Sequence, residues 1–248
     1  MPELFKLILL FAAGLAAGFI NVMAGGGSSI TLPLLIFMGL DSSLANGTNR
    51  LAVFIQNITA VIAFRREKYS DFKTGLKLAA FTLPGAIIGA IVAVRIENDL
   101  FQKILGVVMI GIMITILLPK KSVAAGEKAH PNPWLVALAM LGTGFYGGFL
   151  QIGVGFIMMA ILQNMLKLDL IRVNMHKVFI VFFFTLPALL IFIFTGNVNW
   201  FYGLALAGGN ALGAWWGVKI AVKKGEKVIR IVLTIAIFIM AAKLLGVF

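Results

Sequence analysis

The chain has 248 residues, of which 61% are hydrophobic and 12% are charged, and it carries a formal net charge of +12 and no cysteine. This charged fraction is about half of what soluble domains carry, and the lack of cysteine excludes disulfides, thiol chemistry and cysteine-bound metal. Because the basic residues are spread over short loops between apolar segments, we interpret them as a sign of membrane topology and expect no binding to nucleic acid.

Ten apolar segments follow one another along the chain, with short polar turns between them. Several run for about 18–22 residues without an acidic side chain, which is the length that a helix needs to cross a bilayer. The sequence therefore predicts an all-α polytopic membrane protein. Its predicted helical segments cover residues 4–23, 29–39, 47–64, 74–95, 100–118, 133–150, 153–166, 173–195, 200–222 and 228–247. The first segment lacks the A-x-A site of a signal peptide, so we expect it to remain in the mature protein.

A glycine-rich break separates the first two segments. The run Gly25–Gly27 disfavours a helix, and Pro33 lacks a backbone N–H. At membrane depth, an unwound backbone is tolerated only where it is buried in protein or lines a polar cavity. If the second segment begins near Ser28, its free N–H groups and dipole make an anion site, with the hydroxyls of Ser29 and Thr31 as further donors. The alternative is a close helix crossing that requires small residues.

Two basic residues, Arg50 and Lys177, follow asparagine-containing polar stretches at matching points of the chain. Either these cations attract an anion, one from each side of the membrane, or each side chain extends to its own membrane interface. His176 is similarly open between a pH sensor and a plain hydrogen-bonding histidine. The amides Gln56 and Asn57 come one to two turns after Arg50, so they could line the same cavity.

The order of these features is repeated in the second half of the chain. Gly144-Phe145 corresponds to the start of the first half, and a second break at 147–155, which contains Gln151, corresponds to the first glycine run. The segment 84–89 resembles the segment 212–217. We interpret this recurrence as an internal duplication.

The duplication divides the chain into two transmembrane repeats, residues 1–118 and 133–248, joined by a cytoplasmic linker at 119–132. Each repeat has about five helical segments, and the first pair of each is predicted to form a broken-helix hairpin. Placing four alternate loops on the cytoplasmic side collects 16 of the 21 Lys and Arg residues there. The loop 65–73 is then cytoplasmic, whereas its uncharged counterpart 195–199 is external. The repeats are therefore predicted to be inverted, as in many secondary transporters, with the substrate site where the breaks meet.

The nine acidic residues all lie in loops or at segment ends. A cation path or a carboxylate proton relay usually needs an acid inside an apolar span, so cation transport is disfavoured. The sequence also lacks a nucleophile–base pair, a phosphate-binding loop and a metal-ligand cluster. We therefore expect no enzyme activity, no metal and no cofactor.

Short motifs of the first half occur in a distinctive order: Gly14-x-x-x-Gly18-Phe19, Ala24-Gly25-Gly26-Gly27, Thr31-x-Pro33-x-Leu35, then Gly39, Ala45 and Gly47-Thr48-Asn49. Together with the glycine pair at 85 and 89 and the duplicated layout, they resemble the TauE/SafE (sulfite exporter) family over nearly the whole chain. The second break departs from the fuller glycine run and downstream proline that this family usually has. The resemblance implies transport of small sulfur or organic oxyanions, such as sulfite, sulfoacetate or related sulfonates, in a prokaryotic inner membrane.

These observations predict a multi-pass secondary transporter of a small anion that works by alternating access. The predicted substrate-binding residues are Gly26, Gly27, Ser28, Ser29, Thr31, Thr48, Asn49, Arg50, Gln151, Asn174 and Lys177. The expected partners are the anionic substrate and the lipid bilayer, and a homodimer is compatible with the sequence. A passive anion channel and a non-catalytic membrane assembly subunit are the alternatives.

Overall fold

The computed structural model describes residues 2–117, 132–225, 227–229 and 231–232, and every regular element within these ranges is helical. The helices are α1 (Glu3–Met23), α2 (Ser28–Phe37), α3 (Ser42–Arg66), α4 (Phe72–Arg95), α5 (Asn98–Leu117), α6 (Pro133–Phe149), α7 (Val154–Leu166), α8 (Leu170–Phe194) and α9 (Trp200–Lys224). The all-α prediction is thereby confirmed. The predicted linker, apart from its last residue, and most of the tenth segment lie outside the described residues.

Three of the described helices are long and apolar enough to cross a membrane: α1, α4 from Lys73 onward, and α8. Helices α3 and α9 each have 25 residues. They bury polar side chains such as Arg50 and Asn210 inside the protein. Large apolar side chains face outward elsewhere, among them Phe37, Trp134 and Phe194 at helix ends. A surface of this kind suits contact with lipid and supports the prediction of a membrane protein.

Several helix starts are fixed by an acid or amide in the preceding turn. The side chains of Asp71, Asn132, Asp169 and Asn199 accept a backbone N–H from the first turns of α4, α6, α8 and α9. Each such cap contributes about 1 kcal/mol. These four polar turns therefore mark the starts of α4, α6, α8 and α9.

Two polar stretches that we expected at helix starts lie inside helices. Helix α3 begins at Ser42 and α8 at Leu170, so the stretches 46–50 and 173–177 occupy their second turns. The predicted boundaries at these points are wrong because most polar side chains of these stretches find hydrogen-bond partners inside the protein. A helix can then carry them without facing water.

The helix pairs recur between the two halves. Helix α1 lies against α9 and α6 lies against α4, while α3 contacts α9 and α8 contacts α4. Each of these contacts in one half thus has a counterpart in the other, and α3 and α8 contact each other at the centre. The functional residues lie on this central pair and on the two helix breaks beside it.

The α1–α9 and α4–α6 crossings depend on small residues. A methyl group added at Gly85 or Gly89 would collide with the backbone of α6, and one added at Gly209 or Gly213 would collide in the same way with α1. Gly217 has no neighbour closer than 3.4 Å to such a methyl group. Gly85 meets Leu141 and Phe145 of α6 just as Gly213 meets Leu15 and Phe19 of α1, which agrees with the predicted match of 84–89 with 212–217. Gly89 and Gly217 differ, since only Gly89 makes a close backbone contact.

Candidate functional site

The two helix breaks meet backbone to backbone. Gly25, with φ of +89°, follows the end of α1, and α2 begins at Ser28 as predicted. A Cβ atom on Gly155, in the first turn of α7, would lie within 3.0 Å of backbone atoms of Gly25, and the converse also holds. Only two glycines allow this approach. The predicted juxtaposition of the breaks is thus observed in the structure.

Arg50 binds the end of the broken helix of the opposite half. Its guanidinium donates to the carbonyl of Gly147 at 2.9 Å and to that of Gly148, both in the last turn of α6. One turn earlier on α3, Asn46 donates to the carbonyl of Phe149 at 2.8 Å. The last carbonyls of a helix have no partner within it and carry about half a unit of negative charge. Helix α3 therefore supplies both the donors and the positive charge that the end of α6 requires.

Lys177 binds the end of α1 in the same way. Its ammonium donates to the carbonyls of Asn21 at 2.9 Å and Val22 at 2.8 Å. Asn174 accepts a third hydrogen bond from this ammonium at 2.6 Å and donates to the carbonyl of Met23 at 3.4 Å. Lys177 and Asn174 thus bind the last three carbonyls of α1, just as Arg50 and Asn46 bind the last three carbonyls of α6. Each break is therefore capped by the third helix of the other half.

Both cations are buried. Arg50 is 0% and Lys177 2% exposed, so the interpretation that they extend to the membrane interfaces is wrong. Among the described residues neither has an acidic partner within ion-pair distance. Burying an unpaired charge costs several kcal/mol, and half a charge at each helix end offsets only part of it. The interior of the protein therefore carries excess positive charge.

A small polar cavity lies between the breaks and the central helices. Its wall consists of Asn21, Ser28, Val53, Gln56, Asn57, Gln151, Val154, Gly155, Lys177 and Val181. It has room for roughly one water molecule in this conformation. None of the described residues in its wall is acidic. They offer the cavity amide, hydroxyl and ammonium groups.

Three of the predicted site residues line this cavity: Ser28, Gln151 and Lys177. The Ser28 hydroxyl makes no hydrogen bond to the described residues. The Gln151 side chain donates to the Thr185 hydroxyl at 3.0 Å, while its buried Oε1 has no partner in the described part of the chain. The backbone N–H groups of Gly26, Gly27 and Ser28 likewise form no backbone hydrogen bond there. The start of α2 therefore keeps unused donors beside the cavity.

The remaining predicted residues lie close by but outside the cavity wall. The Ser29 hydroxyl donates to the Gly26 carbonyl at 2.5 Å, and Thr31 donates to Asn49 at 2.6 Å, which leaves the buried Nδ2 of Asn49 without a partner among the described residues. Thr48 donates to the carbonyl one turn back at 2.6 Å. Arg50 and Asn174 serve the helix ends described above. These residues hold the frame of the cavity in the conformation described.

The sequence reasoning did not name five residues of the wall as site residues, whereas Gln56 and Asn57 line it as expected; the five are Asn21, Val53, Val154, Gly155 and Val181. Asn21 donates to Gln56 at 3.2 Å across the cavity. Its signal in the sequence is a lone amide one turn before a glycine run in an apolar segment. Val181 carries no such signal, because an apolar residue on an apolar helix has no distinguishing feature.

The chain is similar to a family of sulfite exporters and to several probable membrane transporter proteins. The family model described as Sulfite exporter TauE/SafE matches residues 10–244. A probable membrane transporter protein, ORF9, of a Sinorhizobium species is 30% identical over 241 residues, which cover 97% of this chain and 92% of that protein. Probable membrane transporter proteins of Haemophilus influenzae and of Escherichia coli K12, the latter YfcA, are each 29% identical over 96% of this chain and over 94% and 88% of their own lengths. No solved structure matches the chain.

Proposed function

This chain belongs to the TauE/SafE sulfite exporter family of membrane transporters, and from that premise we propose that it is a secondary transporter of a small oxyanion, such as sulfite or an organosulfonate, working by alternating access. The observation that carries this proposal is the small cavity between the two helix breaks. It combines a buried ammonium with unused hydrogen-bond donors, and no described residue of its wall carries a carboxylate.

The chemistry of the cavity favours an anion. The three N–H groups of Lys177 are already engaged, so its ammonium attracts an anion by charge. The Ser28 hydroxyl and the N–H groups at the start of α2 supply hydrogen bonds, and the positive end of the helix dipole points the same way. Several donors around one small space suit a ligand with several oxygens. Sulfite and the sulfonates have three oxygens each.

Inverted repeats would explain how one cavity opens to either side. Helices α1 and α9 begin at the same end of the molecule, because Lys6 donates to the Tyr202 hydroxyl at 3.2 Å. Helices α4 and α8 begin together, because His176 and Asp71 lie 3.8 Å apart. These contacts and the exchanged helix pairs support inversion of residues 133–248 relative to 1–118. They also support one common end for the basic loops before α4 and α8, which the positive-inside rule assigns to the cytoplasmic side of the cell membrane.

Counterflow in proteoliposomes tests this function. Vesicles that contain the protein and a high concentration of unlabelled sulfite should accumulate trace radiolabelled sulfite from outside, with a rate that saturates. Sulfate, sulfoacetate and a monocarboxylate serve as competitors that rank the substrate class. A linear, non-saturating flux without counterflow would instead establish a channel, and no flux of any of these anions would end the proposal.

Variants link the flux to the cavity. Lys177→Met removes the charge and should abolish counterflow, while Gln151→Asn keeps a residue that tolerates the observed φ of +61° but withdraws its amide from the wall. Ser43→Ala is the matched control, because Ser43 donates to the Ala93 carbonyl far from the cavity. Size-exclusion profiles establish that each variant is folded. Undiminished counterflow in folded Lys177→Met would remove the ammonium from the site.

A further inference from the structure

Two contacts at opposite ends of the central helix pair are counterparts of each other. Asn46 and Asn174 cap equivalent helix ends, and two residues after each comes Thr48 or His176. The Thr48 hydroxyl accepts the backbone N–H of Asn199 at 2.9 Å, and Asn199 is the N-cap of α9. His176 faces the N-cap of α4 at the corresponding place. In each half the third helix therefore contacts the turn before the fourth helix of the other half.

These two contacts differ in chemistry. The Thr48 contact is neutral and already closed. In the other, His176 Nε2 lies 3.8 Å from Asp71 Oδ2, which is too long for a hydrogen bond and within range of an ion pair. His176 is 2% exposed, and its Nδ1 has no partner among the described residues. One contact is thus insensitive to pH, and the other contains a buried imidazole beside a carboxylate.

Burial and the nearby Asp71 carboxylate act in opposite directions on the response of His176 to protons. Asp71 lies outside the membrane-spanning helices, and the hydrogen bond from the Thr74 backbone lowers its pKa, so its carboxylate is charged at neutral pH. The other charged groups that act on the imidazole are Arg172 in the first turn of α8 and Asp169, the N-cap of this helix. These two side chains pair with each other at 3.3 Å. The other side chains that line the pocket around His176 and Asp71 are Val61, Phe64, Tyr69, Ser70, Met175 and Phe179, none of which carries a charge at neutral pH.

We propose that His176 and Asp71 form a proton-binding latch at the basic-loop end of the transporter. When a proton from water binds the imidazole, the imidazolium is drawn onto Asp71 and holds α8 against the turn before α4. When His176 is neutral, that end is released. Because His176 directly precedes Lys177, release moves the ammonium that lines the cavity. The latch goes beyond the proposed function, since it assigns pH sensitivity to one end of the path and none to the end held by Thr48.

Cysteine labelling tests the latch independently of transport, and the natural chain contains no cysteine to interfere. Met175, 7% exposed, lines the pocket beside His176, so Met175→Cys reports opening of this end. Val198, 9% exposed, precedes Asn199, so Val198→Cys reports the other end. Maleimide labelling of purified protein in nanodiscs is followed between about pH 5 and 8, the range in which histidine changes charge. Because thiol reactivity itself changes with pH, each rate is divided by the rate of the same cysteine in a His176→Gln background.

The corrected labelling of Met175→Cys should rise by up to roughly fivefold from the acidic to the alkaline end, the range expected for a partly exposed ion pair. Asp71→Asn should abolish this rise, and Val198→Cys should show none. A corrected rate for Met175→Cys that stays constant with pH would overturn the latch. So would an equal rise at Val198→Cys, which would indicate a general loosening. If the His176→Gln protein does not fold, Asp71→Asn supplies the reference.

Discussion

Ser28→Ala separates binding from folding at the cavity. The Ser28 side chain lines the cavity, and its hydroxyl makes no hydrogen bond to the described part of the chain, so removing it breaks no hydrogen bond there. Alanine is also the better helix former, by up to about 0.5 kcal/mol. Without ligand, the free energy of unfolding of the variant should therefore lie within about 0.5 kcal/mol of that of the natural protein.

With an anion bound, the same change should be costly. A hydrogen bond to a charged group contributes about 1.5–3 kcal/mol, so the Kd should rise roughly tenfold or more. An anion at 100 times its Kd stabilises the folded protein by about 2.7 kcal/mol. At a tenfold weaker Kd, the same concentration adds about 1.4 kcal/mol. About half or more of the ligand-induced stabilisation should therefore disappear.

Thermal unfolding in detergent, measured with and without sulfite, checks this reasoning. Ser43→Ala removes a serine hydroxyl outside the cavity and should keep the full ligand-induced rise in Tm. Should Ser28→Ala show the same rise as the natural protein, the hydroxyl does not contact the anion. A large loss of Tm in the absence of ligand would instead show that Ser28 has a structural role.

Three further changes probe the frame. Arg50→Ala should lower the free energy of unfolding by about 2–4 kcal/mol, because two buried carbonyls at the end of α6 lose their donors. Arg50→Lys should lower it much less, since Lys177 shows that one ammonium can bind two carbonyls. Equal melting temperatures for the two variants would contradict the capping role. Gly155→Ala should prevent correct folding by forcing the two breaks apart, while Gly142→Ala should be tolerated because its Cβ would meet open space. A monodisperse Gly155→Ala protein in size exclusion would argue against the close contact between Gly25 and Gly155. Asn199→Ala should lower the free energy of unfolding by about 1 kcal/mol through the lost cap of α9, whereas Asn199→Asp should change it little, as measured by thermal unfolding. An equal loss for both variants would show that the side-chain N–H group of Asn199, and not its cap oxygen, stabilises the protein.

The sequence was sufficient for the features that depend on local chemistry. The glycine run predicted the break, and α2 begins at Ser28 as expected. Apolar segment length predicted most helices, because a helix in an apolar setting must satisfy its own backbone groups. The lack of acids inside the apolar segments anticipated a cavity without carboxylates. Each of these inferences concerns neighbouring residues in the chain.

The roles of the two cations could not be derived in this way. Arg50 and Lys177 were predicted to bind the substrate together, but only Lys177 lines the cavity, and both cap a helix of the other half. These contacts join residues 97 and 156 positions apart. No periodicity in a single sequence records which distant carbonyls a side chain reaches.

The exchanged caps also bear on how the protein is made. The carbonyls at the end of α1 wait for Lys177, 155 and 156 residues downstream, so the first hairpin has no cap while it leaves the ribosome and enters the bilayer. Until α8 arrives, those carbonyls must stay near water or lipid headgroups, because an unpaired carbonyl in hydrocarbon costs several kcal/mol. The first hairpin is thus completed late in synthesis, by a helix that enters the membrane long after it. A chain truncated before α8 would expose this unfinished hairpin, which gives membrane quality control a signal to recognise.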